Sequence, residues 1–197
     1  TGVQTCALPI SAGTTNAVLT IVDDDSLIGF SANAYSINET NGTASVSVLR
    51  SGATNTTVSA TFATTDGTAT SPTRYQGVTN VVTFAPGQTA TNLAVTVVDD
   101  AVVNGDGTVQ LTIGAPVTGA VVLNNALLPT SAVLTIVDNE VELAFAAVNY
   151  TVGENAGTVS IPVVRTGVTN VAITVDFSTG LGTAIDGLDY LSTNGTL

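Results

Sequence analysis

A repeat with a long period constrains the fold more than any other feature of the chain. The segment Ala17-Val-Leu-Thr-Ile-Val-Asp23 recurs as Ala132-Val-Leu-Thr-Ile-Val-Asp138, and the same shift of 115 residues, from 17 to 132, aligns the rest of the sequence without a gap. The aligned tyrosine pairs are Tyr35 with Tyr150 and Tyr75 with Tyr190. This period has the size of an independently folded domain rather than of a solenoid unit. The sequence therefore predicts a tandem array of domains.

The alignment divides the chain into four parts. Residues 11–25 resemble the last strand of a preceding module, residues 26–140 form a complete module, and residues 141–197 are the truncated first half of the next. Residues 1–10 match neither copy, so we interpret them as a leader of non-native appearance and leave them out of the fold. A signal peptide is the alternative for this leader, but it lacks a basic start and its apolar run is short. We expect the half module to be poorly stable alone, because the strands that would complete its core are missing.

The composition favours strands and excludes several classes of function. Histidine, lysine, methionine and tryptophan are absent, while threonine, valine, alanine and glycine dominate. The single cysteine, Cys6, leaves no disulfide and no thiolate metal site to predict. With 15 acidic residues against 3 basic ones, the net charge of −12 argues against nucleic acid or an anionic membrane surface as a partner. Because the usual general bases and nucleophile activators are missing, we expect no enzymatic activity.

Alternating apolar residues and turn residues predict seven strands in the complete module. The predicted ranges are 27–37, 43–50, 56–65, 78–84, 90–98, 108–113 and 132–137. Seven short strands over this length predict an all-β fold, an immunoglobulin-like seven-stranded Greek-key sandwich, arranged here in tandem repeats.

Acidic residues follow every second predicted strand. Successive strands of such a sandwich alternate in direction, so the first, third, fifth and seventh end at the same pole. The acids that follow these strands are Glu39, Asp66, Asp99, Asp100, Asp138 and Glu140. Acidic, oxygen-rich loops are what Ca²⁺ requires, and turn formation is the alternative explanation for such acids. For Asp66 the turn is the favoured interpretation, because Gly67 follows it.

Several short motifs together resemble the Calx-beta domain, over the whole complete module and the half that follows. These motifs are Tyr35-Ser-Ile-Asn-Glu39, Asp66-Gly-Thr-Ala69, Phe84-Ala-Pro-Gly87, Val97-Val-Asp-Asp100 and Leu134-Thr-Ile-Val-Asp138. The family is known from the cytosolic regulatory loop of sodium/calcium exchangers and from repeated modules of large bacterial surface proteins. The resemblance implies the sandwich fold and a Ca²⁺ site at the acidic pole. The implied ligands are Glu39, Asp99, Asp100, Asp138 and Glu140.

The chain departs from the family pattern at three positions of this pole. Arg74 stands where the family has an aspartate, which the next module keeps as Asp189, and Asn104 and Gly107 stand where glutamates are expected. The reduced ligand charge predicts at most one weakly bound Ca²⁺ in the complete module. The guanidinium of Arg74 is expected to pair with Glu39 or Asp100 in place of a cation. At the opposite pole, Arg50 and Arg165 are predicted to be surface arginines.

Together these features predict a calcium-binding spacer or adhesion segment of a large protein, located extracellularly or at the cell surface. The expected partners are calcium ions, neighbouring repeats of the same chain, and another surface protein or a glycan. Two alternatives stay open: a metal-free structural or ligand-binding sandwich, and calcium sensing in a cytosolic loop, which the lysine-free composition disfavours. No apolar run approaches the roughly 20 residues that cross a bilayer, so no membrane contact is predicted within the sequence.

Overall fold

The computed structural model of the chain describes residues 2–6, 17–124 and 126–197. They form two compact units, of which the first holds the described residues up to Asp100 together with residues 106–137. The second unit holds Ala101–Gly105 and Asp138–Leu197. Within the described residues, no helix has the length and apolar character needed to span a bilayer.

The first unit contains a sandwich of two sheets and a separate two-stranded sheet, which its first two strands form. Its strands are β1 (Gly2–Cys6), β2 (Ala17–Ile21), β3 (Ser26–Phe30), β4 (Ala34–Asn38), β5 (Thr43–Gly52), β6 (Val58–Asp66), β7 (Thr79–Phe84), β8 (Ala90–Thr96), β9 (Gly107–Thr118), β10 (Val121–Val122) and β11 (Ser131–Val137). One sheet has the order β10-β3-β5-β8 and the other the order β4-β11-β9-β6-β7. The predicted immunoglobulin-like β-sandwich is therefore confirmed.

The core lies between the two sheets and consists of the alternate residues that the strand periodicity predicts. The ring of Phe30, on β3, packs edge-on against Phe62 of β6 at a centroid distance of 6.2 Å, so the two sheets meet here. The largest fully buried apolar side chains are Tyr75, Phe30, Phe62, Phe84, Ile28, Leu111, Leu134 and Ile136. Burying an apolar side chain of this size contributes about 1.5 to 3 kcal/mol, so this layer is the main source of stability.

The first predicted strand, residues 27–37, is wrong as a continuous element. The chain forms β3, which pairs with β5, and after Ser31 it crosses to the other sheet, where β4 pairs in parallel with β11. The hydroxyl of Tyr35 donates to the carbonyl oxygen of Ser47 at 2.8 Å, which ties the start of β4 to β5. One segment thus contributes a strand to each sheet. The apolar alternation continues where the chain crosses between the sheets, so the sequence pattern does not show the break.

The sixth predicted strand ends too early. Strand β9 continues from the predicted end at Ile113 through Gly114 and Pro116 to Thr118. Its pairing with β6 shifts register between Ser59 and Phe62, which is the signature of a β-bulge. Proline has no backbone N–H, and a bulge is one of the places where a sheet accepts it.

The N-terminal residues also differ from expectation. Sequence analysis leaves residues 1–10 out of the fold, whereas Gly2–Cys6 form β1. This strand pairs antiparallel with β2, from Gly2 opposite Ile21 to Cys6 opposite Ala17. The domain boundaries inferred from the repeat stay a prediction.

The second unit has less regular structure than the first. It contains β12 (Val141–Phe145), β13 (Val163–Gly167), β14 (Asp176–Ser178) and β15 (Asn194–Thr196), paired antiparallel as β12 with β13 and β14 with β15. Phe145 is 65 % exposed and Ile161 is 41 % exposed, whereas the aligned Phe30 and Val46 of the first unit are 0 % exposed. These side chains line an open apolar groove of about 740 Å³. Positions that form a core in the first unit therefore face solvent in the second.

Candidate metal centre

Three strands of the five-stranded sheet end together at one pole of the first unit. β4 and β11 are parallel neighbours, with Asn38 opposite Val137. β6 runs antiparallel to β9 and ends with Asp66 opposite Val109, close to the start of β9 at Gly107. The residues that follow these strands therefore begin at the same edge, as the alternation of strand direction requires.

The end of β8 reaches this pole through the short turn that holds Glu39. The residues Glu39–Asn41 form one turn of 3₁₀ helix, which Gly42 closes with a φ of 70°, a conformation that favours glycine. The backbone N–H of Val97, just after β8, donates to the carbonyl oxygen of Gly42 at 2.9 Å. This bond fixes the loop that carries Asp99 beside the turn that carries Glu39.

Carboxylate oxygens of Glu39 and Asp99 lie within 4.8 Å of each other. Calcium binds oxygens at about 2.3 to 2.6 Å, so one ion can contact two oxygens at this separation. Glu39 is buried and Asp99 is exposed, so a cation bound between them would have one protein-facing and one solvent-facing ligand. The donor set and its spacing therefore fit Ca²⁺.

Arg74 contributes a positive charge to the same pole. Nη2 of Arg74 donates to Oε2 of Glu39 at 3.4 Å, and both side chains are buried, at 10 % and 0 % exposure. The expected pairing of Arg74 with Glu39 is confirmed. A carboxylate is almost never fully buried unless it is paired, so the guanidinium is what allows Glu39 to occupy this position.

Gly107 makes room for this guanidinium. A Cβ atom built on Gly107 would lie 2.9 Å from Nη1 of Arg74 and 2.9 Å from Cβ of Ala69, which is closer than real Cβ contacts. Any other residue at position 107 would displace the arginine or the backbone. Sequence analysis treats Gly107 only as a missing ligand, but the structure shows that a glycine here leaves room for the guanidinium of Arg74 and for the side chain of Ala69.

Asp66 organises the loop between β6 and β7. Its Oδ1 accepts hydrogen bonds from the backbone N–H of Ser71 at 3.0 Å and from the hydroxyl of Tyr75 at 2.7 Å. Both contacts fit the turn-forming interpretation of this residue. Burial, the hydrogen bond to Asp66 and the charge of Asp66 together raise the pKa of Tyr75 to about 12.

The raised pKa of Tyr75 predicts a loss of stability in strong base. The folded state holds the phenolic proton more tightly than the unfolded state, so the stabilisation is complete below about pH 10 and is lost as pH rises towards 12. Two pKa units correspond to at most about 2.7 kcal/mol. Urea unfolding followed by circular dichroism should therefore show a lower midpoint at about pH 11.5 than at about pH 8. The Tyr75→Phe variant should lose most of this difference, and an unchanged pH response in the variant would contradict the assignment.

The remaining predicted ligands are distributed over both units. Asp100 follows Asp99 in the first unit and is half-buried. Asp138 and Glu140 belong to the second unit, where Oδ1 of the buried Asp138 accepts from the backbone N–H of Asn104 at 3.5 Å. The carboxylate of Glu140 accepts from the backbone N–H of Asn139 at 3.2 Å. The structure brings Glu39 and Asp99 together, and the full set of five ligands stays a prediction.

At the opposite pole, the prediction that Arg50 is a surface residue is wrong. Its side chain is 3 % exposed and lies under the loops that join the strands. Nε and Nη2 donate to Oγ of Ser26 at 3.2 and 3.1 Å, and Nη2 also donates to the carbonyl oxygen of Ala53 at 2.7 Å. Nη1 donates to the carbonyl oxygens of Thr56 at 2.8 Å and Ala85 at 3.4 Å. The arginine is buried because neutral oxygens from the start of β3 and from two loops converge on it.

The aligned arginine of the second unit repeats part of this arrangement. Nη2 of Arg165 donates to the carbonyl oxygens of Val168 and Val171, which align with Ala53 and Thr56. Val141 stands where the first unit has Ser26, and the buried Nε of Arg165 has no hydrogen-bond partner. The serine is thus the part of the arrangement that the second copy lacks.

The two sheets and the acidic pole of the first unit define a class: an immunoglobulin-like β-sandwich with carboxylates gathered where β4 and β8 end. The sequence profile of the Calx-beta domain matches residues 22–140 and 138–197, so the chain belongs to the Calx-beta family. A comparison with curated protein sequences found no match.

Solved structures agree with this assignment. The apo form of the Calx CBD1 domain is 29 % identical and covers 58 % of this chain and 98 % of its own, with a TM-score of 0.54. The CBD12 structure from CALX1.2 is 27 % identical and covers 87 % of this chain and 68 % of its own, with a TM-score of 0.57. The calcium binding domain CBD12 of CALX1.1 is 25 % identical and covers 86 % of this chain and 68 % of its own, with a TM-score of 0.54.

Proposed function

We propose that this chain is a Ca²⁺-binding segment of a large secreted or cell-surface protein, in which calcium stiffens a string of β-sandwich modules. The observation that carries the proposal is the approach of the Glu39 and Asp99 carboxylates to within 4.8 Å at the pole where the strands end. The similarity to a solved structure described as a calcium binding domain supports it. The tandem repeat and the lysine-free, threonine-rich composition support an extracellular setting.

Glu39, Asp99 and Asp100 would supply oxygens to the ion from the first unit. The sequence adds Asp138 and Glu140 to this proposed ligand set, because they follow the last predicted strand of the module. Adhesion to another surface protein or to a glycan would be a property of the longer array, and contact with neighbouring repeats would follow from the tandem order. In this proposal the acids bind and orient a cation, and no chemical step takes place.

A metal-free structural sandwich is the second candidate function. The ion pair between Arg74 and Glu39 favours it, because the guanidinium already supplies one positive charge to this pole. In this case the remaining acids would serve solubility alone.

Calcium titration of the full chain distinguishes the two candidates. We expect isothermal calorimetry to show calcium binding. Hydrogen exchange of residues 26–137 should be slower with calcium than with a chelator, because a ligand that binds only the folded state stabilises it. At a calcium concentration 100 times the Kd, this gain is about 2.7 kcal/mol. The Asp99→Asn variant should weaken binding at least tenfold.

The matched control for this titration is Glu142→Gln, which removes one carboxylate from an exposed position on β12. This control should bind calcium as the wild type does, and magnesium at equal ionic strength should protect the chain less. Equal protection by both ions, or an equal loss in Asp99→Asn and Glu142→Gln, would show a nonspecific charge effect and would leave the metal-free sandwich as the function.

A further inference from the structure

We infer that Arg74 is a built-in cation, which occupies in the first module the place that a divalent ion takes in the next one. The acidic pole of residues 26–137 would then fold without metal, and calcium would only add to the stabilisation that Arg74 already supplies. The residue at this single position would set how strongly a module depends on calcium. This inference rests on the proposed function, because it concerns the same site.

The charges at the pole show why a cation is needed there. Glu39 is 0 % exposed, and an oxygen of the Asp99 carboxylate lies within 4.8 Å of it. Two carboxylates at this distance repel each other, and burial adds a desolvation penalty to the charged form. The guanidinium of Arg74, 3.4 Å from Glu39 and itself buried, offsets both effects.

The second copy of the loop carries the opposite charge at the position of Arg74. Asp189 aligns with Arg74, and Glu154 aligns with Glu39. The backbone N–H of Arg74 donates to the carbonyl oxygen of Thr70 at 2.9 Å, and the N–H of Asp189 donates to that of the aligned Ile185 at the same distance. The two loops therefore share the hydrogen bond that holds this residue, although Gly187, with a φ of 80°, stands in the second loop where the first has Pro72.

The space around Arg74 is adapted to the guanidinium. Gly107 is buried at the start of β9, and a Cβ atom there would approach Nη1 of Arg74 to 2.9 Å. Replacing the arginine by the shorter aspartate would open the volume of the guanidinium next to Glu39 and Asp99. A hydrated divalent ion would then face three carboxylates, a donor set typical of Ca²⁺.

The variants Arg74→Asp and Arg74→Gln of the full chain test the inference. Hydrogen exchange of residues 34–42 and 96–100 would be measured with calcium and with a chelator. Without calcium, Arg74→Asp should exchange at least tenfold faster than the wild type, and calcium should restore most of this protection. Arg74→Gln removes the charge without adding a ligand. This variant should also lose protection without calcium, but calcium should restore clearly less of it than in Arg74→Asp. Unchanged exchange in Arg74→Asp, or a loss of protection that calcium does not restore, would overturn the inference.

A third variant keeps the test decisive if the aspartate disrupts folding. Arg74→Lys retains a positive charge and should gain no more protection from calcium than the wild type does, so a larger calcium-dependent gain in this variant would overturn the inference. The outcomes also separate the inference from the proposed function. If calcium restores the protection of Arg74→Asp but does not bind the wild-type first module, the inference is supported and calcium binding by that module is refuted. If calcium protects the wild type and all variants equally, calcium binding is supported and the role of Arg74 is overturned.

Discussion

Replacing Glu39 by glutamine is expected to lower the unfolding free energy of the first unit by about 3 to 5 kcal/mol. The substitution removes the carboxylate from a buried ion pair and leaves the guanidinium of Arg74 in place, and removing one partner of a buried pair costs this much. Hydrogen exchange of the slowest amides of β5 and β9 measures the effect, because these central strands open only when the unit unfolds.

Two further variants show that the effect comes from the pair. The double variant Glu39→Gln, Arg74→Gln removes both charges and should recover a large part of the loss, since neighbouring residues in one ion pair are not additive. Glu154→Gln makes the same change at the aligned, exposed position of the second unit and should stay within about 0.5 kcal/mol of the wild type. A cost below about 1 kcal/mol for Glu39→Gln would show that the ion pair contributes little.

Replacing Arg50 by methionine is expected to cost about 3 to 5 kcal/mol as well, through a different mechanism. Methionine keeps the apolar length of the side chain but leaves Oγ of Ser26 and the carbonyl oxygen of Thr56 without a donor. The carbonyl oxygens of Ala53 and Ala85 lose the guanidinium but keep the hydroxyl of Ser26 and the backbone N–H of Gln88 as donors. Each buried acceptor that loses its partner costs about 1 to 3 kcal/mol, less where water can enter. The same hydrogen-exchange measurement on β5 and β9 reports the loss.

The second copy suggests the matched control for Arg50. Ser26→Val reproduces the residue found at position 141 and removes one acceptor shared by Nε and Nη2, so we expect a loss of about 1 to 3 kcal/mol. Added to Arg50→Met, the same change should cost less than it does alone, because the contact between the two residues is then already lost and only the hydrogen bond from Ser26 to the carbonyl oxygen of Ala53 remains to be removed. Full additivity of the two variants would contradict the hydrogen-bond network as the source of stability.

Strand periodicity predicts most of the sandwich, because alternate apolar residues must face one core. Ala44, Val46 and Val48 on β5 are buried as the pattern indicates. The same rule fails where the backbone changes sheets without changing its alternation, as it does between Phe30 and Ala34, and where a bulge lets β9 continue through Pro116.

The site is less accessible to sequence reasoning than the fold, because its contacts join distant positions. Strand direction alone places Glu39 and Asp99 at one pole, and charge complementarity predicts the pairing of Arg74 with Glu39. The dependence of Arg74 on Gly107 spans 33 residues, from 74 to 107, and only coordinates show that a Cβ atom there would strike the guanidinium. The burial of Arg50 cannot be predicted from the sequence for a different reason. Most of its acceptors are backbone carbonyls, which carry no signature in the sequence.

The parallel pairing of β4 with β11 has a mechanical consequence. β4 lies near the beginning of the module and β11 at its end, and the two are bonded side by side from Ala34 opposite Val133 to Asn38 opposite Val137. Tension applied to the two ends of the module would pull these strands along their length in opposite directions. All the hydrogen bonds between them would then be strained simultaneously rather than peeled apart one by one, which is the geometry that resists stretching best. A string of such modules is suited to carry a load.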